Sequence, residues 1–300
     1  MALRPGIDIV PVQWCEHCDT SMYHGFSCAW DMNKYIYWLR GYNSTTFRRY
    51  HIYADAHFYL TGAPWSVQQG GWLIYDPSRN RFWATQGNGG TGFAYYSPAN
   101  ASWSSVTSLP VAANYGSWIV HTCSSLKSNA NDDRIYYAPA YGSSSFYYYS
   151  ISGNSFSSLT SAPGTLSNGS NGVWVYNYDP DKIYVIRGGS SSTIYVYSIS
   201  GNSWTTLTYY PASFSFTTGT SAAYDPVDNR IYLTLSEGYR YIYYLDLATN
   251  TMEVYTRLPL VYYREGKKIE VVNIGGRRFL YVFRGYEYTP YALWRIPIVW

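Results

Sequence analysis

The stretch IYVIRGGSSSTIYVYSISGNSWTTLTYYP, from Ile183 to Pro211, contains two short apolar runs separated by a Gly-Gly pair. A second turn sequence, SGNS, follows, and Trp204 comes seven residues after Tyr197. Short runs of β-branched and aromatic residues bounded by Gly, Ser and Asn are typical of strands joined by tight turns. The stretch therefore indicates a series of antiparallel strands, and the fold depends on whether it is one copy of a repeated unit.

The first apolar run of this stretch recurs along the whole chain. Its copies are KYIYWLRGY, RFWATQGNGG, RIYYAPAYG, RIYLTLSEG and RFLYVFRGY, which contain Ile36, Phe82, Ile135, Ile231 and Leu280. With Ile183 in its place, successive copies are 46, 53, 48, 48 and 49 residues apart. A period near 50 residues with this composition predicts the blades of a β-propeller.

The second half of the unit is spaced more tightly. A Tyr precedes a Trp or Phe by seven residues in the pairs Tyr96–Trp103, Tyr149–Phe156 and Tyr197–Trp204. Leu245–Met252 and Tyr53–Leu60 keep the distance with different side chains. YDP turns at residues 75–77, 178–180 and 224–226 precede the next apolar run. Each unit is thus predicted to hold four short strands with almost no helix. We expect Trp103, Phe156 and Trp204 to be buried at equivalent places between blades.

The pattern of an apolar run, a Gly-Gly pair, a Tyr and a Trp resembles the kelch repeat. The residues that carry the resemblance are Ile183–Ile186, Gly188, Gly189, Tyr197 and Trp204. Gly89–Gly90 is the other double glycine near the expected place, so strict motif identity covers a single blade. The resemblance implies an all-β, six-bladed propeller built of four-stranded antiparallel blades.

One domain, residues 1–300, accounts for the six units. The blades are predicted at about 15–70, 71–116, 117–171, 172–220, 221–268 and 269–300, the last completed by 1–14. The last unit supplies three strands, and the N-terminal segment is extended and β-rich. We therefore expect residues near Ile7–Val12 to pair with a strand near Leu293–Val299, which closes the ring and removes open sheet edges.

The composition is rich in aromatic residues and poor in charge. The chain holds 37 Tyr, 12 Trp and 11 Phe, while charged residues make up 13% and the net charge is +3. A core does not require so many tyrosines, and Tyr is enriched at protein interfaces. The small net charge predicts no nucleic-acid partner, and the sequence shows no transmembrane segment and no classical secretory signal.

No catalytic or cofactor motif stands out. The chain lacks GxSxG, HExxH, a Gly-rich phosphate loop and the Asp-containing turns of sialidases, and no spacing selects a ligand among its five His. Cys15, Cys18, His24 and Cys28 are close together and suit zinc, with free thiols as the alternative. We expect no required metal, no cofactor and no enzymatic activity.

Two sets of basic residues and one loop are the candidate binding groups. Each predicted blade has a basic residue leading its second strand, which predicts a ring on one face: Lys34, Arg81, Arg134, Lys182, Arg230 and Arg278. Arg40, Arg187 and Arg284 precede the glycine at the far end of that strand and are expected around the opposite mouth. The alternative for both sets is solvation and ordinary cross-strand pairing. The longest departure from the repeat is His121–Arg134, in which Asp132 and Asp133 are candidate salt-bridge partners for a neighbouring protein.

Two functions fit these observations. The first is a structural protein of a virus particle, in a phage tail or hub, acting in a multi-copy complex through protein–protein interfaces. The second is an exported microbial propeller, extracellular or at the cell surface, that binds carbohydrate or protein, including surface glycans. We favour the first, because the chain is Tyr-rich, lean in charge and free of catalytic motifs.

Overall fold

The structure is a computed structural model that describes residues 10–12, 25–235, 240–258, 268–283 and 293–299. Within these ranges the chain forms strands and turns and no helix. None of the described residues therefore belongs to a helix long and apolar enough to cross a membrane. The predicted all-β class is confirmed.

The strands are short, as expected for propeller blades. In chain order they are β1 (Val10–Val12), β2 (Ser27–Trp30), β3 (Tyr35–Leu39), β4 (Phe47–His51), β5 (Ala56–Tyr59), β6 (Trp72–Asp76), β7 (Arg81–Thr85), β8 (Phe93–Ser97), β9 (Ser102–Ser105), β10 (Trp118–His121), β11 (Arg134–Ala138), β12 (Tyr147–Ser150), β13 (Ser155–Ser158), β14 (Asn171–Trp174), β15 (Lys182–Ile186), β16 (Ile194–Ser198), β17 (Ser203–Thr206), β18 (Ser221–Asp225), β19 (Arg230–Thr234), β20 (Tyr241–Asp246), β21 (Thr251–Arg257), β22 (Lys268–Ile274), β23 (Arg277–Phe283) and β24 (Leu293–Pro297).

Six four-stranded antiparallel sheets form the blades. Blades 1 to 5 are β2–β5, β6–β9, β10–β13, β14–β17 and β18–β21, and blade 6 is β22–β24 completed by β1. The innermost strands of neighbouring blades touch all the way round, including blade 6 against blade 1. The chain is therefore a closed six-bladed propeller, as predicted.

The N-terminal strand closes the ring. Val10, Pro11 and Val12 lie opposite Arg295, Trp294 and Leu293 in antiparallel register. The predicted pairing is confirmed for these residues, while Ile7 to Ile9 lie outside the described part of the chain.

The apolar runs of the repeat form the second strand of every blade. The anchor residues occupy equivalent positions, three residues before the strand end, and each is at most 3% exposed: Ile36, Phe82, Ile135, Ile183, Ile231 and Leu280. A residue at this position faces the core between two blades. The repeat of about 50 residues therefore places a buried side chain at the same position in every blade.

The Gly-Gly pair forms the turn after the second strand because both residues have left-handed backbones. Gly188 has φ +72° and Gly189 has φ +64°. At the same place blade 2 has Gly87–Asn88 and blade 3 has Ala140–Tyr141, all with positive φ. The counterpart of the pair in blade 2 is thus Gly87–Asn88, two residues before Gly89–Gly90. The backbone conformation repeats even where glycine does not.

The Trp of the seven-residue Tyr-to-Trp spacing contacts the neighbouring blade. Tyr197 and Trp204 lie opposite each other on β16 and β17. The Trp204 indole Nε1 donates to the carbonyl of Thr160, 2.7 Å away, on the segment that leaves blade 3. In blade 2, Trp103 donates in the same way to Thr61 at 2.9 Å.

Trp103, Phe156 and Trp204 thus occupy equivalent places against the neighbouring blade, as expected, but their burial is only partial. All three are half-buried, because the outermost strand of each blade has solvent on one side. Blade 1 also departs from the predicted spacing. Its equivalent pair is Tyr50 and His57, which lie opposite each other, rather than Tyr53 and Leu60.

At the axis, glycines allow the blades to approach. We call the face where the inner strands begin the inlet face, and the face where they end the outlet face. Two residues before its inner strand, each of blades 1 to 5 has a glycine with φ between +77° and +84°: Gly25, Gly70, Gly116, Gly169 and Gly219. A Cβ on Gly25, Gly70, Gly116 or Gly169 would lie 1.8–2.2 Å from a carbonyl oxygen of the next blade. These glycines are needed for both conformation and space.

Replacing a glycine of this inlet set should destabilise the whole propeller. Gly116→Ala combines φ +77° with a Cβ 2.2 Å from the Ser167 oxygen. The strain and the overpacking should together cost about 2–5 kcal/mol. Gly142→Ala is the matched control, because Gly142 has φ +83° and nothing within 4 Å of the added Cβ. Its cost should be about 1–2 kcal/mol. Urea unfolding measures both, and equal losses would contradict the packing role.

Removing residues 1–12 should destabilise the domain, because it exposes β24 as a new edge and opens the ring. Thermal unfolding measures the effect. A truncated chain that melts at the same temperature as the full chain would show that β1 does not close the ring.

Candidate functional site

An axial channel runs between the inner strands of all six blades. Its volume is about 220 Å³, and its wall contains both apolar and polar side chains. On the outlet face it continues into a mouth of about 310 Å³. The two spaces share wall residues, namely Trp30, Met32, Leu126, Tyr176, Tyr224, Glu270 and Val271. A cavity of this size that opens through a mainly apolar mouth is the default candidate for a binding site.

Lys268 closes the channel towards the inlet face. It is the first residue of β22, is 8% exposed and lines both the channel and the inlet mouth. Its ammonium lies 2.8 Å from the centre of the Trp72 ring. Lys268 belongs to blade 6 and Trp72 to blade 2, so the contact joins two blades that are separated by blade 1. The cation–π pair forms the closed end of the channel.

Glu270 follows two residues later and therefore faces the same side of β22. It accepts a hydrogen bond from the Trp30 backbone N–H at 3.5 Å. Burial lowers the pKa of Lys268 to about 7, although Cys28 and Glu270 oppose the shift. Burial raises the pKa of Glu270 to about 7, against the Trp30 hydrogen bond and Lys268. Because neither side chain is fully charged near neutral pH, the pair can take up or release protons there.

Asn171 lies on the opposite side of the channel. It is the first residue of β14 in blade 4, is 1% exposed and lines the channel. Neither atom of its amide group has a hydrogen-bond partner among the described residues. The buried Trp30 Nε1 lacks a partner in the same part of the chain.

The long segment between β10 and β11 borders the outlet mouth. Leu126 lines both the channel and the mouth. The segment is held against blade 2, where the Ser78 hydroxyl donates to Asp132 at 2.9 Å and Arg79 donates to the Asp132 carbonyl at 2.8 Å. The loop therefore projects from the outlet face, which is the face that carries the basic residues, as expected. It forms part of the rim of the channel.

Asp132 and Asp133 are both engaged within the chain. Asp132 accepts hydrogen bonds from the backbone N–H and hydroxyl of Ser124, and Asp133 accepts them from Ser150 and Ser152. Burial opposes the ionisation of both carboxyls, but these hydrogen bonds outweigh it and lower the two pKa values. Both carboxylates thus hold turns within the chain. Their role as salt-bridge partners for a neighbouring protein stays a prediction.

The six basic residues of the predicted ring lie on the outlet face, each within one residue of the start of a second strand. Three of them stack on the tyrosine fourteen residues later: Arg81 on Tyr95 at 4.2 Å, Arg134 on Tyr148 at 4.4 Å and Arg230 on Tyr244 at 4.5 Å. The repeated geometry shows that these arginines have a role in blade packing.

The other members of the ring also contact their own chain. Lys182 lies 3.3 Å from the Asp181 carboxylate, and Lys34 lies 5.4 Å from the centre of the Tyr35 ring. Arg278 of blade 6 pairs with Asp225 at 2.6 Å and Asp228 at 2.7 Å in blade 5. Contacts inside the chain therefore occupy the predicted ring.

Two arginines of the second set, Arg40 and Arg187, lie within the described residues. Arg40 and Arg187 follow β3 and β15 on the inlet side, in blades 1 and 4, which stand opposite each other in a ring of six. Neither lines the inlet mouth, and Arg187 donates to the Thr165 carbonyl at 3.1 Å. Arg284 lies outside the described residues. The expected grip around the mouth is not formed by Arg40 and Arg187.

The possible zinc cluster falls mainly outside the described residues, which exclude Cys15, Cys18 and His24. Cys28 is a buried free thiol on β2, and its pKa is raised well above normal by burial and then by Glu270. Among the described residues, no group of three or more His, Cys, Asp or Glu has a geometry that could hold a metal ion.

Two candidates chosen from the sequence line this space, Cys28 in the channel and Arg278 at the outlet mouth. Lys268, Glu270 and Asn171 were missed. One signal for Lys268 and Glu270 was present, because KIEVV alternates charged and apolar residues in a chain with 13% charge. An alternating strand usually places its charges in solvent. Only the ring places them at the axis. Asn171 carried no sequence signal.

Comparisons with known proteins agree with the fold. No protein-family model matches the chain, and no curated protein matches its sequence. Among solved structures, 944 chains match. One, titled "Structure of YjhT", has a TM-score of 0.66 and 13% sequence identity, over 93% of this chain and 94% of that chain. At this identity the likeness shows a shared fold and leaves function to be argued from the site.

The Lys268–Glu270 pair should depress stability most near neutral pH. The pKa of Lys268 is lower in the folded chain, so its cost is complete below about 7 and declines as pH rises towards the unfolded value. The pKa of Glu270 is raised, so its cost is complete above about 7 and declines as pH falls. The double variant Lys268→Met/Glu270→Gln should therefore be more stable by about 1–4 kcal/mol near pH 7. The gain should shrink towards pH 5 and pH 10. Urea unfolding across this range measures it, and a gain independent of pH would contradict the assignment.

Proposed function

We propose that the chain is a non-enzymatic structural protein of a virus particle, in a phage tail or hub, that acts through protein–protein interfaces. Its location is then the virion, and its partners are other structural proteins of the same multi-copy assembly. The observation that carries the proposal is a group of exposed aromatic side chains on the rim of blade 1. We also propose that the repeats are related to kelch repeats. Only the motif in blade 4 supports this resemblance.

The tyrosine excess has two parts. Among the described residues fifteen tyrosines are buried, so the core uses part of the 37 in the chain. In the same described ranges six are exposed: Tyr42, Tyr53, Tyr59, Tyr141, Tyr178 and Tyr210. The argument for an interface therefore rests on where these six lie.

Blade 1 has an unusual outer strand. Its Phe58 and Tyr59 stand where blade 3 has Ser157 and Ser158, when Tyr50 is aligned with Tyr149. Phe58 is 41% exposed and Tyr59 is 71% exposed. Serine at the equivalent positions suits solvent, whereas an exposed Phe and Tyr on an edge strand favour contact with another protein.

The aromatic rim is held in place by neighbouring arginines. The Arg48 guanidinium lies 3.8 Å from the centre of the Tyr59 ring and donates to its hydroxyl at 2.5 Å. Arg49 lies 5.5 Å from the centre of the Phe58 ring. Tyr53 lies in the turn between β4 and β5 and is 64% exposed. Rings held before binding lose little side-chain entropy when a partner covers them.

A second function is favoured by the channel. An exported microbial propeller, extracellular or at the cell surface, would bind a carbohydrate or protein at the outlet mouth. Aromatic Trp30, Tyr176 and Tyr224 line this mouth together with the carboxyl of Glu270. Apolar walls with a few placed polar groups are typical of ligand sites.

The double variant Phe58→Ser/Tyr59→Ser should fold normally and assemble poorly. It copies the serines of blade 3, and loss of two interface aromatics should weaken assembly about tenfold or more. Tyr210→Ser is the control, because Tyr210 is 77% exposed on another blade. Sedimentation and copurification with particles measure assembly, and thermal unfolding measures folding. Unchanged assembly of the double variant would remove the rim from the proposal, and measured turnover of a glycan or small alcohol would overturn the structural function.

A further inference from the structure

The inlet mouth is a small polar depression at the axis, on the face opposite the outlet mouth. Its volume is about 90 Å³, well below the roughly 300 Å³ at which sites for larger ligands begin. The turns that precede the inner strands of blades 1 to 5 form its wall, and Lys268 of blade 6 completes it. Among the described residues that line the mouth, Lys268 carries the only charge.

The glycines of these turns have free backbone N–H groups. In blades 2 to 5 the residue after the glycine donates its N–H to the carbonyl of the residue two before the glycine. The donors and acceptors are Gly71 to Gln68, Ser117 to Asn114, Ser170 to Ser167 and Thr220 to Thr217, at 2.8–3.1 Å. With φ between +77° and +84° at the glycine, each is a type II turn. The N–H groups of the five inlet glycines themselves have no hydrogen-bond partner among the described residues: Gly25, Gly70, Gly116, Gly169 and Gly219.

In blades 2 and 4 a second hydrogen bond fixes the direction of these N–H groups. The carbonyl of Gln69 accepts from the Asn88 N–H at 2.7 Å, and the carbonyl of Asn168 accepts from the Gly189 N–H at 2.8 Å. Asn88 and Gly189 lie in the turns after the second strands, further from the axis than the inner strands. The C=O and N–H of a trans peptide point in opposite directions, so the N–H of the following glycine is directed towards the axis.

The inlet glycines are accessible at the mouth. All five are partly exposed and line it. Their similar φ values give the turns the same backbone conformation, so their N–H groups surround one space. Successive backbone N–H groups that face a concavity form anion sites in proteins.

Lys268 adds a positive charge to this ring of donors. It is 8% exposed, and apart from its contact with the Trp72 ring it makes no hydrogen bond or ion pair with another described residue. Unlike the Asn171 amide and the Trp30 indole, its ammonium is not fully enclosed. A buried amine is stabilised in its charged form by an opposite charge beside it.

The donors and the charge together select an anion. The described residues that line the mouth include no carboxylate, so none of them repels one. Hydrogen bonds from N–H groups to a charged oxygen are about twice as strong as those between neutral groups. The oxygens of a carboxylate or a phosphate accept several such bonds at once.

We infer that the inlet mouth binds a small oxyanion, a carboxylate or a phosphate, between the N–H groups of the inlet glycines and the Lys268 ammonium. This goes beyond the assembly function. It uses neither the blade 1 rim nor the outlet mouth.

The test is titration of the full chain, labelled with ¹⁵N-glycine, with sodium phosphate and with sodium acetate at constant ionic strength. The amide signals of the five inlet glycines should move downfield, because their N–H groups gain a charged acceptor. Gly142 and Gly275 are internal controls that should not move, since both have positive φ and neither lines the inlet mouth. Movement with both salts includes carboxylates in the ligand class, and movement with phosphate alone restricts it to phosphate.

Lys268→Met should weaken binding of either anion about tenfold or more, because a charge-assisted contact is lost. The double variant Lys268→Met/Glu270→Gln should bind as weakly, and it keeps the test valid if the single variant unfolds. Lys127→Met is the matched control, because Lys127 lies between β10 and β11 and does not line the inlet mouth. Thermal unfolding checks that each variant is folded.

Binding to the wild type should also weaken from about pH 6 to about pH 8. Burial lowers the pKa of Lys268 to about 7, so the ammonium loses its proton in this range. Burial raises the pKa of Glu270 to about 7, so its negative charge appears in the same range and acts in the same direction. Cys28 stays neutral, because burial raises the pKa of its thiol well above normal.

Several outcomes would overturn the inference. One is that neither salt moves the signals of the inlet glycines. Another is equal movement with sodium chloride or with neutral acetamide, since neither is an oxyanion. Equal weakening by Lys127→Met would show general screening by salt in place of a site. None of these results alters the assembly of Phe58→Ser/Tyr59→Ser, so this inference and the proposed function fail separately.

Discussion

The close contact between blades at the inlet face is the constraint on which the rest of the propeller depends. Gly25 and Gly70 lie so near the carbonyls of Gln68 and Asn114 that an added Cβ would be 1.8–1.9 Å from the oxygen. Backbone therefore packs on backbone at the axis. The space between two blades widens with distance from the axis, and large rings fill it there, as Tyr136, Tyr197 and Tyr232 do with no exposed surface.

This taper explains much of the composition. Glycine and serine are needed near the axis, where the Ser27 hydroxyl accepts a hydrogen bond from the backbone of Leu73 in the next blade. Tyrosine and tryptophan are needed further out, where a ring packs and its polar tip still finds a carbonyl or an amide. Tyr197, for example, donates to Asn202 at 2.9 Å while its ring is buried. A chain built in this way has many aromatics and few charges without any functional demand.

The departures from the repeat are therefore more informative than the repeat. Blade 1 replaces rim serines with Phe58 and Tyr59, and blade 6 brings Lys268 and Glu270 to the axis. The other blades form without these residues, so the repeat itself does not require them. The rim supports contact with proteins and the channel supports contact with a small molecule, and the two sites lie at different distances from the axis.

The amino-acid sequence by itself determined the strand count, the six blades and the closure by Val10–Val12, because a buried apolar run and its turns must recur whenever a blade recurs. It also placed the basic residues at the starts of the second strands. Only the tertiary structure decided what those residues do. The partners of Arg278 are Asp225 and Asp228, which are about fifty residues away and meet it because neighbouring blades are adjacent in space. The channel likewise exists only once the ring closes, since Asn171 and Glu270 are polar residues on separate strands until six inner strands surround one axis.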